Sequence, residues 1–213
     1  MVESENAIAP VEFENRPAMT AGVHFATFTI EKSGSSMYIG VVRDRPEDEI
    51  SRRDRTEDAP DSPDMPHDWL IETHPDRGSG KLECRNVNDT PTGRASWPGM
   101  MKRGDVKTGD VVGLLLDIEQ GTLAVYLNGE RRGLMVQPGM TMACRHVGGY
   151  RDATVRKPVP SLGRSLRWSV ELGYGSTVRV NGPLPPPSVA EAERAEDERR
   201  PAPFRRHWAR LRS

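Results

Sequence analysis

Residues 109–136, GDVVGLLLDIEQGTLAVYLNGERRGLMV, constrain the chain more than any other stretch, because nearly every residue takes a place in three short antiparallel strands. Val112, Leu114, Leu116 and Ile118 share one parity while Val111 and Leu115 make the other face apolar too, the pattern of a strand covered on both sides. Glu119-Gln120-Gly121 turns the chain. The next strand sets Leu123, Val125 and Leu127 on one face and Thr122, Ala124 and Tyr126 on the other. Asn128-Gly129 then supplies the pair that tolerates positive φ in a tight hairpin.

The same period of two recurs elsewhere. Leu166, Trp168, Val170 and Leu172 alternate with Arg167, Ser169 and Glu171, and Val178 with Val180 continues the sheet after a Gly173-Tyr174-Gly175 turn. Trp69-Leu70-Ile71 and Lys81-Leu82-Glu83-Cys84 read as a pair of short strands. Asn181-Gly182-Pro183 and Pro185-Pro186-Pro187 end the patterned region, since proline cannot continue a central strand. Of the 213 residues 35% are hydrophobic and 29% charged, with 18 Pro and 20 Gly, which fits a compact middle flanked by polar, irregular segments.

Several ordered blocks resemble the SPRY domain family. They are Gly109-Asp110, Gly113 to Asp117, Gly121-Thr122-Leu123, Tyr126-Leu127-Asn128-Gly129 and Gly133. Upstream, residues 22–30 (GVHFATFTI) resemble the family's opening strand and residues 37–43 (MYIGVVR) its Ile-Gly-Val strand; downstream, residues 166–180 resemble its closing pair. The chain departs from the pattern at Ala26, where many members carry tryptophan, and in the long segment between Gly133 and Leu166. The expected architecture is all-β: an antiparallel β-sandwich of the SPRY type over residues 15–182, with an N-terminal flank over 1–14 and a Pro-rich, charged tail over 183–213.

Two connections stand out. Residues 44–68 carry eight or more carboxylates among four arginines and four prolines, a solvated acidic loop. Residues 137–163 read as a second long connection, this one basic through Arg145, Arg151, Arg156 and Lys157. In the tail, Ser188 with Glu191 fits a capping box, and the helix formers after it offer scarcely any apolar residue. The last segment mixes Arg199, Arg200, Arg205, Arg206, Arg210 and Arg212 with Phe204 and Trp208.

The residues give no catalytic constellation. Gly78-Ser79-Gly80-Lys81 lacks the outer glycine and the hydroxyl of a phosphate loop, having Pro75 and Leu82 in those places. Cys144 and His146 share a parity, yet no base-orienting group or oxyanion site is marked. The histidines, His24, His67, His74, His146 and His207, lack zinc spacings, and the acidic run lacks the pattern of a calcium loop. Cys84 and Cys144 are too few for a disulfide framework. The formal net charge of −1 gives no general steering to nucleic acid or anionic membrane. No apolar run approaches the ~20 residues of a membrane span, and the polar opening MVESENAIAP is unlike a signal peptide, so an intracellular, cytoplasmic protein is expected.

The resemblance implies a non-catalytic protein-interaction module, without cofactor or metal, that captures a partner protein or peptide with loops on the rim of the sandwich. Many such domains serve as substrate receptors of ubiquitin ligases; no ring framework is present in this sequence, so that role would need a separate subunit. The candidate contact residues are Arg43, Asp44 and Arg45 after the Ile-Gly-Val strand, Trp97, then His146, Tyr150 and Arg151, and Tyr174. Trp97 also has a core reading. The alternatives are a lectin-like sandwich that stacks an aromatic residue on a sugar, and an RNA adaptor acting through the arginine-rich tail.

Overall fold

The computed structural model describes residues 2–3, 9–12, 18–34, 36–43, 68–73, 80–85, 91–102, 104–145, 154–159, 161–162 and 165–187. They form strands β1 (Val2–Glu3), β2 (Ala9–Glu12), β3 (Val23–Lys32), β4 (Met37–Arg43), β5 (Asp68–Thr73), β6 (Leu82–Arg85) and β7 (Pro91–Ala95). The chain continues through β8 (Val111–Asp117), β9 (Thr122–Leu127), β10 (Glu130–Val136), β11 (Thr141–Arg145), β12 (Thr154–Pro158), β13 (Leu166–Leu172) and β14 (Thr177–Leu184). No helix occurs among the described residues. A six-stranded sheet has the order β1-β14-β3-β8-β9-β10, and an eight-stranded sheet the order β12-β11-β7-β6-β5-β4-β13-β2. Every pairing is antiparallel.

The two sheets share one core. Ala26, Phe28 and Ile30 of β3, with Val112, Leu114 and Leu116 of β8, belong to the same buried cluster as Ile39 and Val41 of β4 and Trp168, Val170 and Leu172 of β13. Phe28 and Trp168 join the sheets directly, with ring centroids 6.2 Å apart at an interplanar angle of 75°. The architecture is therefore an antiparallel β-sandwich. Its meander, β8 to β10, follows the alternation in residues 109–136, and Asn128 takes φ 53° at the hairpin.

Four features depart from the sequence pattern. The segment read as a single long connection over 137–163 contains the β11–β12 hairpin, and β11 pairs with β7, a strand the apolar pattern did not announce. Edge strand β12 exposes Arg156 and Lys157, charges that discourage further strand pairing. Ser169 and Glu171, on the face of β13 opposite the core, are 1% and 5% exposed and not solvated as the alternation suggested. Finally, β14 runs through Pro183 to Leu184; its register jumps from Asn181 to Leu184, so the missing proline N–H costs no ladder bond. In the N-terminal flank, β1 pairs with β14 and β2 with β13.

Candidate interaction rim

Strand direction determines where each connection emerges. β4 begins after the 33–36 turn and ends at Arg43; β5, β6, β7 and β11 follow it antiparallel, one beside the next. Hence β4, β6 and β11 all finish on one rim of the eight-stranded sheet, and β5, β7 and β13 begin there. The segments at that rim are residues 44–67, 86–90 and 146–153. Arg43 closes β4 opposite Leu166, partly buried at this rim. Asp44, Arg45, His146, Tyr150 and Arg151 lie outside the described residues, as does the side chain of Cys144.

Tyr174 occupies the opposite rim. Between the Arg43–Leu166 pair and the Met37–Leu172 pair lie six residue steps, roughly 20 Å at ~3.3 Å each, and Tyr174 follows Leu172. Its turn is locked to its neighbour. The Gly173 N–H donates to Ser36 O at 2.7 Å, the Gly34 N–H to Ser176 Oγ at 3.2 Å, and the Ser33 N–H to Thr108 Oγ1 at 3.0 Å. Tyr174 is 71% exposed on this rigid support.

Trp97 requires a correction. It is 4% exposed, and its indole N–H donates to the Gly80 carbonyl at 2.9 Å, so it offers no surface to a partner. Three backbone segments converge on it. A Cβ at Gly99 would stand 1.7 Å from Arg132 O, and one at Gly133 would stand 2.2 Å from Pro98 O. Only glycine permits that approach, and both residues also hold positive φ, 80° and 155°. Arg132 closes the junction through Asp105 at 3.5 Å and Glu130 at 3.8 Å. The loop-base tryptophan therefore belongs to the scaffold.

Glu83 and Arg94 face each other across β6 and β7, next to the 86–90 segment. Arg94 donates from Nε at 2.8 Å and from its terminal nitrogen at 2.7 Å to one oxygen of Glu83, a carboxylate only 2% exposed. Burial acts to lower the Arg94 pKa, but the charge and hydrogen bond of Glu83, with Glu72 behind it, outweigh that and hold it above the usual guanidinium value. The pair fastens β6 to β7 where the rim begins.

Of the groups considered for chemistry, His24 shares a hydrogen bond of 2.7 Å with Ala21 O, and Cys84 is buried. Among the described residues no group of three or more His, Cys, Asp or Glu side chains is placed to hold a metal ion. No helix among them is long and apolar enough to cross a membrane.

Among solved structures, the crystal structure of the SPRY domain of human HERC1 is similar to this chain, with 19% identity, a TM-score of 0.41, and coverage of 78% of this chain and 77% of that one. No protein-family model matches the chain, and no curated protein matches it.

Proposed function

We propose that the chain is a non-catalytic, SPRY-type interaction module that captures a partner protein or peptide with the connections leaving one rim of its eight-stranded sheet. The observation that supports this reading best is the shared direction of β4 and β11, which starts residues 44–67 and 146–153 from the same rim. Neighbouring antiparallel strands such as β4 and β5 can be joined by two to five residues. The 24 residues of 44–67 far exceed that need, and such excess in a compact domain goes with binding. Their nine acidic against four basic residues, with Arg145 and Arg151 at the neighbouring connection, give the rim both signs of charge. Arg43, Asp44, Arg45, His146, Tyr150 and Arg151 are the contact residues of this reading. Arg43 would act through charge-assisted hydrogen bonds and Tyr150 through a rigid aromatic surface. Trp97 leaves the set, and Tyr174, on the other rim, could touch only a partner that spans the sandwich.

The test is selection from a displayed random-peptide library beside a glycan array, both with the full chain. Enrichment of related peptides, lost on replacing residues 46–64 by a glycine-serine spacer, is the expected result. Binding confined to glycans would favour the lectin-like alternative and contradict the proposal.

A further inference from the structure

One apolar row crosses the outer face of the six-stranded sheet. Leu184 of β14 pairs with Phe25 of β3, Phe25 with Leu115 of β8, Leu115 with Ala124 of β9, and Ala124 with Leu134 of β10. Their parity is opposite to that of Ala26, Phe28, Leu114, Leu116 and Val125, which fill the core, so the row faces away from the sandwich. Val23 extends the patch; it and Leu184 are 46% and 36% exposed, Phe25, Leu115 and Leu134 are half-buried, and Ala124 is 3% exposed. The Phe25 and Tyr126 rings meet edge to face at 5.7 Å over Gly113, where a Cβ would come within 3.1 Å of both side chains. The solvent face of an antiparallel sheet is ordinarily polar, and an apolar strip five strands wide marks a docking surface.

We infer that this face holds the chain's own C-terminal segment, residues 204–211. The chain leaves β14 at Leu184, the first member of the row, and Pro185 to Pro187 follow. Beyond them the only large apolar residues apart from Val189 are Phe204, Trp208 and Leu211, spaced by four and three as on one face of a helix. The row measures ~19 Å across four inter-strand gaps of ~4.8 Å. The 16 residues between Pro187 and Phe204 would reach about 25 Å even if wholly helical, so the tether spans it. Tethering holds the segment at an effective concentration of about millimolar beside the row. At the Val23 end of this face Asp117 pairs with Val23 and Glu119 follows it, opposite in sign to Arg205, Arg206 and Arg210, while Arg131, of like sign, lies beside Tyr126.

Acrylamide quenching of tryptophan fluorescence in the full chain tests this. Trp69, Trp97 and Trp168 are 0%, 4% and 6% exposed and stay shielded, so additional quenching reports on Trp208. The expected result is weak quenching in the unmodified chain, independent of protein concentration, rising several-fold in Val23→Glu and Leu184→Glu. Both side chains already reach solvent, so the fold should persist, as the melting temperature checks. Free quenching of Trp208 in the unmodified chain would overturn the inference. So would protection that fades on dilution, because a second copy would then be the occupant. Protection that survives both substitutions would place the segment elsewhere and overturn it too. None of these outcomes depends on the rim reading.

Discussion

The two rims of the eight-stranded sheet differ in the longest connection each places between neighbouring strands. On one, the turns 33–36 and 173–176 are short and bonded to each other, so their residues serve the register of β3, β4, β13 and β14; neighbours β5 and β6 are joined there by eight residues, and 96–110 leave it for the other sheet. On the other, residues 44–67 join two strands that already lie side by side, and 146–153 separate a hairpin whose strands pair over five residues. A short turn is explained by the scaffold it closes. A long one needs a further reason, and binding is the one proposed above. The exposure of Tyr174 then follows from its place at a tight turn and is not by itself a sign of contact.

The largest effect should come from the scaffold. Trp168→Ala is expected to destabilise by ~3–5 kcal/mol, because a buried aromatic loses its transfer free energy and its packing on Phe28. Arg167→Ala should cost less than half as much. Equal shifts in the denaturant midpoints would break the register of β13, and with it the assignment of Arg43 to the rim.

Trp97→Phe comes next. It leaves the buried Gly80 carbonyl without its donor, a loss of about 1–3 kcal/mol, with partner binding retained at temperatures where the variant is folded. A variant of unchanged stability that lost its partner would move Trp97 from scaffold to rim.

A smaller effect concerns pH. Burial pushes the Tyr126 hydroxyl above the ordinary tyrosine pKa, with Arg131 pulling it back in part. A raised pKa in the folded state gives stability that is present below about pH 10 and lost as pH rises beyond it. Tyr126→Phe should therefore flatten the alkaline limb of the stability profile, read from urea midpoints between pH 8 and 11. An identical limb in both proteins would contradict the sealed position of this ring on the outer face.

How much of this was legible in the sequence depended on burial. Strands β8, β9, β13 and the Ile-Gly-Val strand β4 each send several apolar residues into the shared core, so these recur at the period of two that sequence reading detects. β7 (PTGRA) and β11 (TMACR) have few apolar side chains, and the pairing that joins them to each other is distant in sequence, so no local pattern announces it. Trp97 could be read as core or interface because burial is set by Gly80, Gly99 and Gly133, brought together only by the fold. The candidate residues Arg43 and Tyr174 were visible by type and position, but their separation on opposite rims follows from strand direction alone. The outer row from Leu184 to Leu134 was hidden for the same reason: its five members sit on five strands.

The contrast between rims is tested most directly by measuring partner capture and melting temperature together for Arg43→Ala, Tyr150→Ala and Tyr174→Ala in the full chain. The account predicts that the first two weaken capture at least several-fold, that Tyr174→Ala leaves it unchanged, and that all three melt within a few degrees of the parent protein. Normal capture by Arg43→Ala and Tyr150→Ala, with loss in Tyr174→Ala, would place the contact surface on the opposite rim and contradict the account.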